Sequence, residues 1–521
     1  MQRKQVKTAK TLALLNRHMY QPQFKQLSFE NFHMPFGGKL DKSNRWIKMA
    51  DSFPWYEAEL LYARKFPSKR GAPALTVRMA LGSLIIKEKL GLSDDETIEQ
   101  IRENPYLQYF IGLESYQHEA PFDGSMLTHF RKRLNHGDLA ELQEKLRRQY
   151  QKKQDKSDDD DKTSGSPTGI KNKGKLIVDA TCAPADIAYP TDLGLLNDAR
   201  EKSETIIDKL YQQAAEGVKK PRTYRKNARK EFLSMSMKRK LARHLLYRGI
   251  GKQLRYLGRN LRSIEKLTQQ VSLSVLGKKW YRNLLVITEL YRQQLEMHLS
   301  GRKSIEERLV SISQPHVRPM VRGKAAAKTE FGMKLSISVV NGWSIVERMS
   351  WKNYNEGCDL IKEIERYRAR YGYYPESAHA DKIYRTKANR LWCQAKGIRL
   401  SGVPLGRPPK DPEKNRARRK QIQEDEGIRN AVEGKFGQAK RRFSLKRVMA
   451  RLAESSKTVV SIIFLVMNLE HLLSVHFLCF FLRHMQSWMA NNGQNSRFRM
   501  ALWALWNSGN SNVPMAMASD S

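Results

Sequence analysis

The chain is long enough for two or three domains and is strongly basic. It has 521 residues, of which 40% are hydrophobic, so a wholly disordered protein is excluded and a sizeable core is expected. Lys and Arg number 94 against 53 Asp and Glu, a formal net charge of +41, which favours a polyanionic partner, nucleic acid first. The four cysteines show no zinc-ligand spacing, and we expect them to be reduced and structural.

The N-terminal residues do not lead into an apolar core followed by small residues, so we predict a cytoplasmic protein without a secretory signal. The most apolar stretch is Val459 to Leu482. It carries four polar or ionisable residues that would be costly in lipid, Asn468, Glu470, His471 and His476. We therefore predict a buried core helix and no membrane partner.

Residues 1–150 are predicted to form a helical N-terminal domain. Apolar residues recur at helical spacing from Val77, Ser93 opens a second helix with a capping-type start, and a third helix runs from Ser125 to a basic cluster that ends at Leu134. Short helices that end in a basic cluster are typical of a helix-turn-helix DNA-binding domain, and equally of a plain helical bundle. Both interpretations stay open.

Composition divides the rest of the chain. Residues 151–173 are acidic and then rich in Ser, Gly and Pro, which predicts a flexible linker. The basic, Leu-rich segment 200–310 predicts a helical insertion, because a compact sheet domain cannot absorb so long a connection. We assign residues 174–199 and 311–475 to one mixed α/β domain, and 476–521 to a C-terminal tail.

The α/β domain opens with an apolar strand, Lys175 to Thr181, that contains Asp179. After the insertion, a hairpin is predicted from Phe331 to Glu347, with Asn341-Gly342 as its turn. A helix, a short strand, a second helix, another short strand and a long helix follow. This order is typical of a mixed sheet with flanking helices.

Three acids occupy positions from which they can converge on that sheet. Asp179 lies on the first strand, Asp381 ends the later short strand, and Glu433 lies on the long helix. Three convergent carboxylates form a site that can hold divalent metal for phosphoryl chemistry. The alternative roles are a strand-end turn for Asp179 and a helix cap for Asp381. Three other acids could replace a member of this set, but the strand pattern before each of them is less clear: Asp186, Asp359 and Glu376.

Several short segments, which together span about residues 70 to 470, carry a family resemblance. They are Arg78-Met79-Ala80-Leu81-Gly82, Glu103-Asn104-Pro105-Tyr106, Val178-Asp179-Ala180-Thr181, Glu330-Phe331-Gly332, Ala380-Asp381-Lys382-Ile383-Tyr384, Gly397 to Gly402 with Leu405 to Pro409, and Arg429 to Lys440. On these segments the chain resembles a bacterial insertion-sequence transposase of the DDE type, in the broad group founded on insertion sequence five.

The resemblance implies a ribonuclease-H-like catalytic domain in which Asp179, Asp381 and Glu433 are the catalytic metal ligands. It implies two Mg²⁺ ions, with Mn²⁺ as a substitute. The implied function is a transposase that binds transposon ends and catalyses metal-dependent DNA cleavage and strand transfer. The implied partners are double-stranded DNA, as terminal inverted repeats and target, and a second copy of the chain in a homodimer.

The helix around Glu433 matches most of a further family pattern. Arg429, Glu433 and Lys440 are four and seven residues apart, so they share one helical face. Glu426 stands where the family has a tyrosine, and it adds a rival acid one turn earlier. Glu433 is preferred because apolar residues beside it give the helix a side for packing on the sheet. The alternative is an exposed face with charge pairing at i,i+4. Arg429 and Lys440 are candidate DNA contacts.

The insertion contains the most basic strip of the chain. Residues 219–262 hold 16 Lys and Arg and one acid, Glu231, which favours contact with DNA phosphates over a solvated basic face. The candidate contacts are Arg222, Arg225, Lys226 and Arg229. Two other functions stay open beside the transposase: a DNA-binding protein without catalysis, and a metal-dependent nuclease without strand transfer.

Overall fold

The computed structural model describes residues 20–23, 28–67, 73–158, 172–238, 240–321, 329–404, 406, 407, 409 and 411–491. The chain divides into two units, residues 1–468 and 469–521. Within the described part of the first unit, a mostly helical N-terminal region precedes a mixed sheet, and further helices interrupt the sheet sequence. The mixed α/β class and the helical N-terminal region agree with the sequence prediction.

The described N-terminal helices are α1 (Arg45–Ser52), α2 (Trp55–Ala63), α3 (Val77–Leu90), α4 (Asp94–Glu103), α5 (Pro105–Phe110), α6 (Met126–Arg133) and α7 (His136–Asp158). Thr76 caps α3 by accepting a hydrogen bond from the N–H of Met79. Ser93 caps α4 in the same way, as its sequence predicts. Arg131 of α6 joins α4 through two hydrogen bonds, of 2.9 and 2.6 Å, to the carboxylate of Asp94. Caps and this bidentate pair fix the helices around their apolar core.

Helix α7 continues into the segment that we predicted to be a linker. Residues 151–158 are helical, because this stretch is dominated by Gln and Lys, which favour helices. Residues 159–171 lie outside the described part of the chain. The linker prediction for 151–173 is therefore wrong for its first eight residues and stays a prediction for 159–171.

The described strands form one mixed sheet. They are β1 (Lys175–Pro184), β2 (Arg318–Val321), β3 (Thr329–Val340), β4 (Trp343–Ser350), β5 (Ser377–Ala380) and β6 (Arg399–Leu400). One edge of β3 pairs with β1, and its other edge pairs first with β2 and then with β4, all antiparallel. β5 pairs in parallel with β1 on one side and with β6 on the other. Across the sheet, β4, β3 and β1 are therefore antiparallel to one another in turn, and β5 and β6 follow in parallel with β1.

The predicted hairpin is confirmed, with Asn341 and Gly342 at φ values of 50° and 82°. A two-residue turn with both φ values positive matches the twist of its strands, and Asn-Gly is the pair that adopts it most readily. The predicted short strands before Asp381 and at Arg399 are also confirmed. Sequence reasoning missed β2, because four residues that include Pro319 show no strand signal.

Later helices cover the sheet. They are α12 (Leu360–Tyr371), α13 (Lys387–Ala395) and α14 (Pro412–Arg442). Side chains alternate along β1, so Val178 faces the buried cluster built with α12 and α13, whereas Asp179 faces the opposite side. Helix α14 packs against β1 and β5, and its Asp425 contacts His379 of β5. His379 pairs in register with Ile177, which lies two residues before Asp179 and on the same face of β1, so α14 covers the Asp179 side.

Four helices form the described part of the insertion between β1 and β2: α8 (Asp192–Tyr211), α9 (Arg225–Ser236), α10 (Arg243–Thr268) and α11 (Gly277–Ser300). Three of them, α8, α10 and α11, share a buried core of their own, distinct from that of the sheet, with Leu196, Ile207, Leu257 and Ile287 fully buried. Thr191 caps α8, so the helices begin eight residues before the predicted boundary at 200.

The last described helix is α15 (Ala453–Asn491). By length and composition alone its segment Ala453–Val475 could cross a membrane, since an 18-residue stretch of it has a mean hydropathy of 1.8, but 72% of that 18-residue stretch is buried within the protein. Residues 458–468 are all buried, and Asn468 exchanges two 2.9 Å hydrogen bonds with the backbone of Ser344. This part of the helix is a core element, as predicted. Beyond 475 no side chain is described.

Candidate metal centre and nucleic-acid interface

Two of the predicted acids lie side by side on neighbouring strands. Val178 of β1 is in parallel register with Ala380 of β5, so the next residue on each strand is an aspartate. Asp381 keeps an extended backbone, with φ −66° and ψ 166°, and therefore continues that register beyond the end of β5. Neighbouring strands are about 4.8 Å apart. Asp179 and Asp381 are thus brought together by the fold, although 202 residues separate them in the chain.

The surroundings of Asp179 concentrate negative charge. The pKa of its carboxyl is raised to about 6, mainly by burial and in smaller part by the charges of Glu356 and Asp381. The N–H of Ala180, which donates a 2.8 Å hydrogen bond to Asp179 Oδ1, and the guanidinium of Arg429 oppose that rise. A carboxylate that is half buried among other carboxylates gains from a bound cation.

Glu356 is an acid that sequence reasoning missed. It lies in a short 3-10 helix, Glu356–Cys358, that packs on the 3-10 turn immediately after Asp381. Gly357 makes the contact close, since a Cβ there would lie 2.5 Å from the carbonyl oxygen of Ile383. Glu356 also forms a 2.7 Å ion pair with Lys334 of β3. No strand precedes Glu356, so the local pattern carries no signal for its position.

The side chain of Asn389 locks this packing in place. Its Nδ2 atom donates 2.7 Å hydrogen bonds to the carbonyl oxygens of Gly357 and Tyr384. One buried amide therefore ties the 3-10 helix that carries Glu356 to the turn after Asp381.

Glu433, the third predicted acid, is differently placed. Its side chain is 54% exposed and forms a 3.1 Å ion pair with Arg429, one turn earlier on α14. Arg429 in turn lies within electrostatic range of Asp179. Arg429 therefore stands between the two strand carboxylates and Glu433. The apolar packing expected for this helix is present, with Val432 and Phe436 buried.

The donor set suits a hard divalent cation, although the full triad is not assembled. Among the described residues, no three His, Cys, Asp or Glu side chains are grouped closely enough to hold a metal ion. Mg²⁺ is usually bound through one or two carboxylates together with substrate phosphates. Asp179 and Asp381 supply such a pair, and the pKa of Asp179 is raised by burial and, in smaller part, by the nearby acids Glu356 and Asp381. Glu433 joins them only if it leaves Arg429.

A buried polar contact fixes the register of α14 on the sheet. Asp425 lies 3.6 Å from Nδ1 of His379 and accepts a 2.8 Å hydrogen bond from Arg399. It also accepts from the N–H of Gly402. These contacts hold the helix one turn before Arg429, and so they position Arg429 and Glu433 relative to the strand acids.

The substitute acids have other roles in the described structure. Asp186 is paired with Arg447, and Asp359 is paired with Arg348 at 2.6 Å. Glu376 and Glu426 are exposed. None of these four is among the main charges that shift the pKa of Asp179. Glu356 is therefore the stronger rival to Glu433.

The predicted DNA contacts differ in exposure and in whether a carboxylate already pairs with their charge. Arg222, Lys226 and Arg229 are exposed, whereas Arg225 forms two 3.1 Å hydrogen bonds to the carboxylate of Asp208. Lys440 lies near the end of α14 and is partly buried. Cations of one basic strip are thus partly neutralised by acids that lie outside it in sequence.

Comparison with known proteins gives two family matches. Residues 378–470 match a transposase DDE domain, a segment that includes Asp381, Arg429, Glu433 and Lys440. Residues 35–133, within the helical N-terminal region, match a second transposase domain, DUF772.

Among curated proteins, the chain is similar to the uncharacterised protein ORF8 of the nfe locus in Rhizobium meliloti. It is 33% identical over 149 residues, which are 28% of this chain and 64% of that protein. The chain therefore aligns with a little less than two thirds of that relative. No solved structure matches the chain. Two transposase-domain models that match separate parts of one chain indicate an insertion-sequence transposase.

Proposed function

We propose that the protein is a DDE transposase of the insertion-sequence-five group, which binds transposon ends and catalyses metal-dependent DNA cleavage and strand transfer. The proposal is supported by the DDE-domain and DUF772 matches. The observation that carries it is the placement of Asp179 and Asp381 at adjacent positions of the parallel strands β1 and β5. Carboxylates at adjacent register positions of two neighbouring strands are separated by one strand spacing and can bind the same ion.

The sheet order supports a ribonuclease-H-like catalytic domain. Three antiparallel strands are followed by two parallel ones, and the first acid lies on the central strand β1. A helical insertion separates that strand from the second acid. We extend the catalytic domain over residues 174–191 and 311–475, and treat the helices from α8 to α11 between them as an added domain.

Asp179 and Asp381 would hold Mg²⁺, or Mn²⁺ in its place, with Glu433 as the third ligand. Two bound ions would supply Lewis acidity to both the attacking and the leaving oxygen of the phosphodiester. Glu433 reaches them by giving up its ion pair with Arg429. The released guanidinium of Arg429 then contacts a DNA phosphate beside the site, since Arg is suited to bidentate phosphate binding.

DNA binding is assigned to basic surfaces outside the acidic site. The helical N-terminal region would recognise the terminal inverted repeats, and Lys440 with the basic strip of the insertion would contact phosphates of the ends or the target. Two ends must be held together for transfer, so a homodimer is the expected working state. We place the protein in the cytoplasm, where its DNA lies.

The alternatives are a DNA-binding protein without catalysis and a nuclease without strand transfer. The deciding experiment incubates the purified protein with DNA that carries both ends of the element, with Mg²⁺ or with a chelator. Cleavage at the ends that requires Mg²⁺ supports the proposal. Tight binding without cleavage in Mg²⁺ and in Mn²⁺ would leave the binding protein as the better account.

A further inference from the structure

The insertion contains a groove lined by arginines. It lies along α10 and α11 and has a volume of about 1130 Å³. We call it the arginine groove, because five arginines border it: Arg243, Arg248, Arg255, Arg259 and Arg262. All five come from one helix, α10. The groove is in a different domain from the acids of the sheet.

The sequence of α10 builds this groove through a seven-residue repeat. Arg248, Arg255 and Arg262 are spaced by seven residues, so they line one face of the helix at intervals of about 10.5 Å. Gly251 and Gly258 repeat with the same spacing. A row of charges and a row of small residues therefore run side by side along α10.

The two glycines let rings of α11 lie directly on α10. A Cβ on Gly258 would be 2.6 Å from the hydroxyl of Tyr291, and one on Gly251 would be 3.0 Å from Nε2 of His298. Tyr247 stacks on His298 with ring centroids 4.0 Å apart. The groove thus has aromatic rings at its base beside the row of arginines.

The charge of this groove is not neutralised by the described part of the protein. No carboxylate among the described residues lies within 4.0 Å of any of the five guanidinium groups. Other cations of the insertion are paired: Lys220 with Asp208 at 2.8 Å, Lys252 with Glu231 at 3.0 Å, and Arg292 with Glu289 at 2.7 Å. Like charges held this close repel one another unless an anionic partner lies among them.

We propose that the arginine groove binds the sugar-phosphate backbone of DNA as a second, metal-independent site. The identity of the polyanion as DNA rests on the proposed function, but binding in the groove does not depend on catalysis. Arginines at regular spacing contact phosphates, and rings at the base of the groove can stack on bases or sugars that reach them. Binding there is independent of sequence, because phosphates carry no sequence information.

The test compares two full-length triple variants in a chelator, where no metal-dependent cleavage takes place. The groove variant is Arg248→Gln, Arg255→Gln and Arg262→Gln. The control variant is Arg292→Gln, Lys352→Gln and Lys457→Gln, which removes the same charge at cations that lie outside the basic strip of residues 219–262 and already have carboxylate partners. Affinity for a short random-sequence duplex and for its separated strand is measured against salt concentration.

The groove variant should flatten the slope of log affinity against log salt by up to about 2.7 for the duplex, or about 2.1 for the single strand. The control should change either slope by less than about 1. A larger effect on the duplex assigns the groove to double-stranded DNA, and a larger effect on the single strand assigns it to an unpaired segment. Equal slopes for the two variants would overturn the proposal.

A second measurement needs no variant. Wild-type protein is treated with an arginine-specific reagent with and without DNA, and modified residues are mapped by mass spectrometry. DNA should protect Arg248, Arg255 and Arg262, while Arg292 reacts equally in both samples. Equal modification of all four would contradict the proposal. Because both measurements are made without divalent metal, a failure of the catalytic proposal would leave their outcome unaffected.

Discussion

The acidic site on the sheet and the arginine groove in the insertion are opposite electrostatic arrangements within one basic chain. On the sheet, burial raises the pKa of Asp179, and the charges of Glu356 and Asp381 act in the same direction. In the groove, arginines of one helix lie together without a carboxylate partner among the described residues. Each arrangement is costly for the isolated protein and would be relieved by a partner of the opposite charge, which we propose to be a metal ion in one and DNA in the other.

This difference separates the two activities that a transposase needs. Chemistry would be confined to a few carboxylates that the β1 and β5 register brings together. Affinity would be spread over cations on other surfaces. Substitutions should therefore affect either cleavage or binding, and the predictions below test that division.

The largest effect is expected for Asp179→Asn. Loss of a metal ligand removes several kcal/mol of transition-state stabilisation, which corresponds to a fall in cleavage rate of about a thousandfold or more. Affinity for transposon-end DNA should stay nearly unchanged, because the basic surfaces are intact. Both are measured on one preparation. Asp411→Asn is the matched control, since Asp411 is an exposed cap of α14 and Asn caps equally well. Loss of binding together with cleavage would contradict the division.

The second prediction concerns the third ligand. Glu433→Gln should lower the cleavage rate by about a hundredfold, because it removes a ligand or its positioning, whereas the exposed Glu426→Gln on the same helix should have little effect. Glu356→Gln is the informative comparison, since Glu356 already lies beside Asp179. It should lower the rate less than Glu433→Gln does. The reverse order in a cleavage assay would make Glu356 the third ligand.

The third prediction concerns the basic strip of residues 219–262. Replacing Arg222, Lys226 and Arg229 with Gln should flatten the salt slope of DNA affinity by up to about 2.7, at about 0.9 per phosphate contact. Adding Arg225→Gln should change the slope little further, because Arg225 is paired with Asp208. Specific and random duplexes should respond alike. An unchanged slope in the quadruple variant would place the DNA elsewhere.

The smallest effect is a pH dependence of stability at Glu363, on the other side of the sheet. Burial raises the pKa of this carboxyl from 4.5 to about 8, and the hydroxyl of Ser336 donates to it. Between those values the unfolded state loses the proton and the folded state keeps it, so Glu363 costs stability as pH rises. Glu363→Gln should therefore gain about 2 kcal/mol in free energy of unfolding relative to wild type between about pH 5 and pH 8.

Denaturant unfolding of both proteins across that range measures the difference. A wild type that gains stability relative to the variant as pH rises would contradict the assigned protonation of Glu363.

The sequence predicted those parts of the fold that are encoded by a pattern of neighbouring residues. Alternating apolar residues marked β3 and β4, and Asn341-Gly342 marked their turn. Asp179 and Asp381 could be selected because one lies on a predicted strand and the other ends one. Glu356 could not, since its position depends on Gly357 packing against Ile383, a contact between segments with no shared pattern. Likewise, the pairing of Arg225 with Asp208 depends on how α8 and α9 pack.

The most direct test of the central claim is strand transfer. DNA that ends at the element's own terminus with a free 3′-hydroxyl is incubated with wild-type protein, a target plasmid and Mg²⁺, and joined products are detected by gel. The account predicts joining that requires Mg²⁺ and is lost in Asp179→Asn and in Asp381→Asn. Cleavage of end-containing DNA by a wild-type protein that never joins the freed end to target would contradict it and would identify a nuclease.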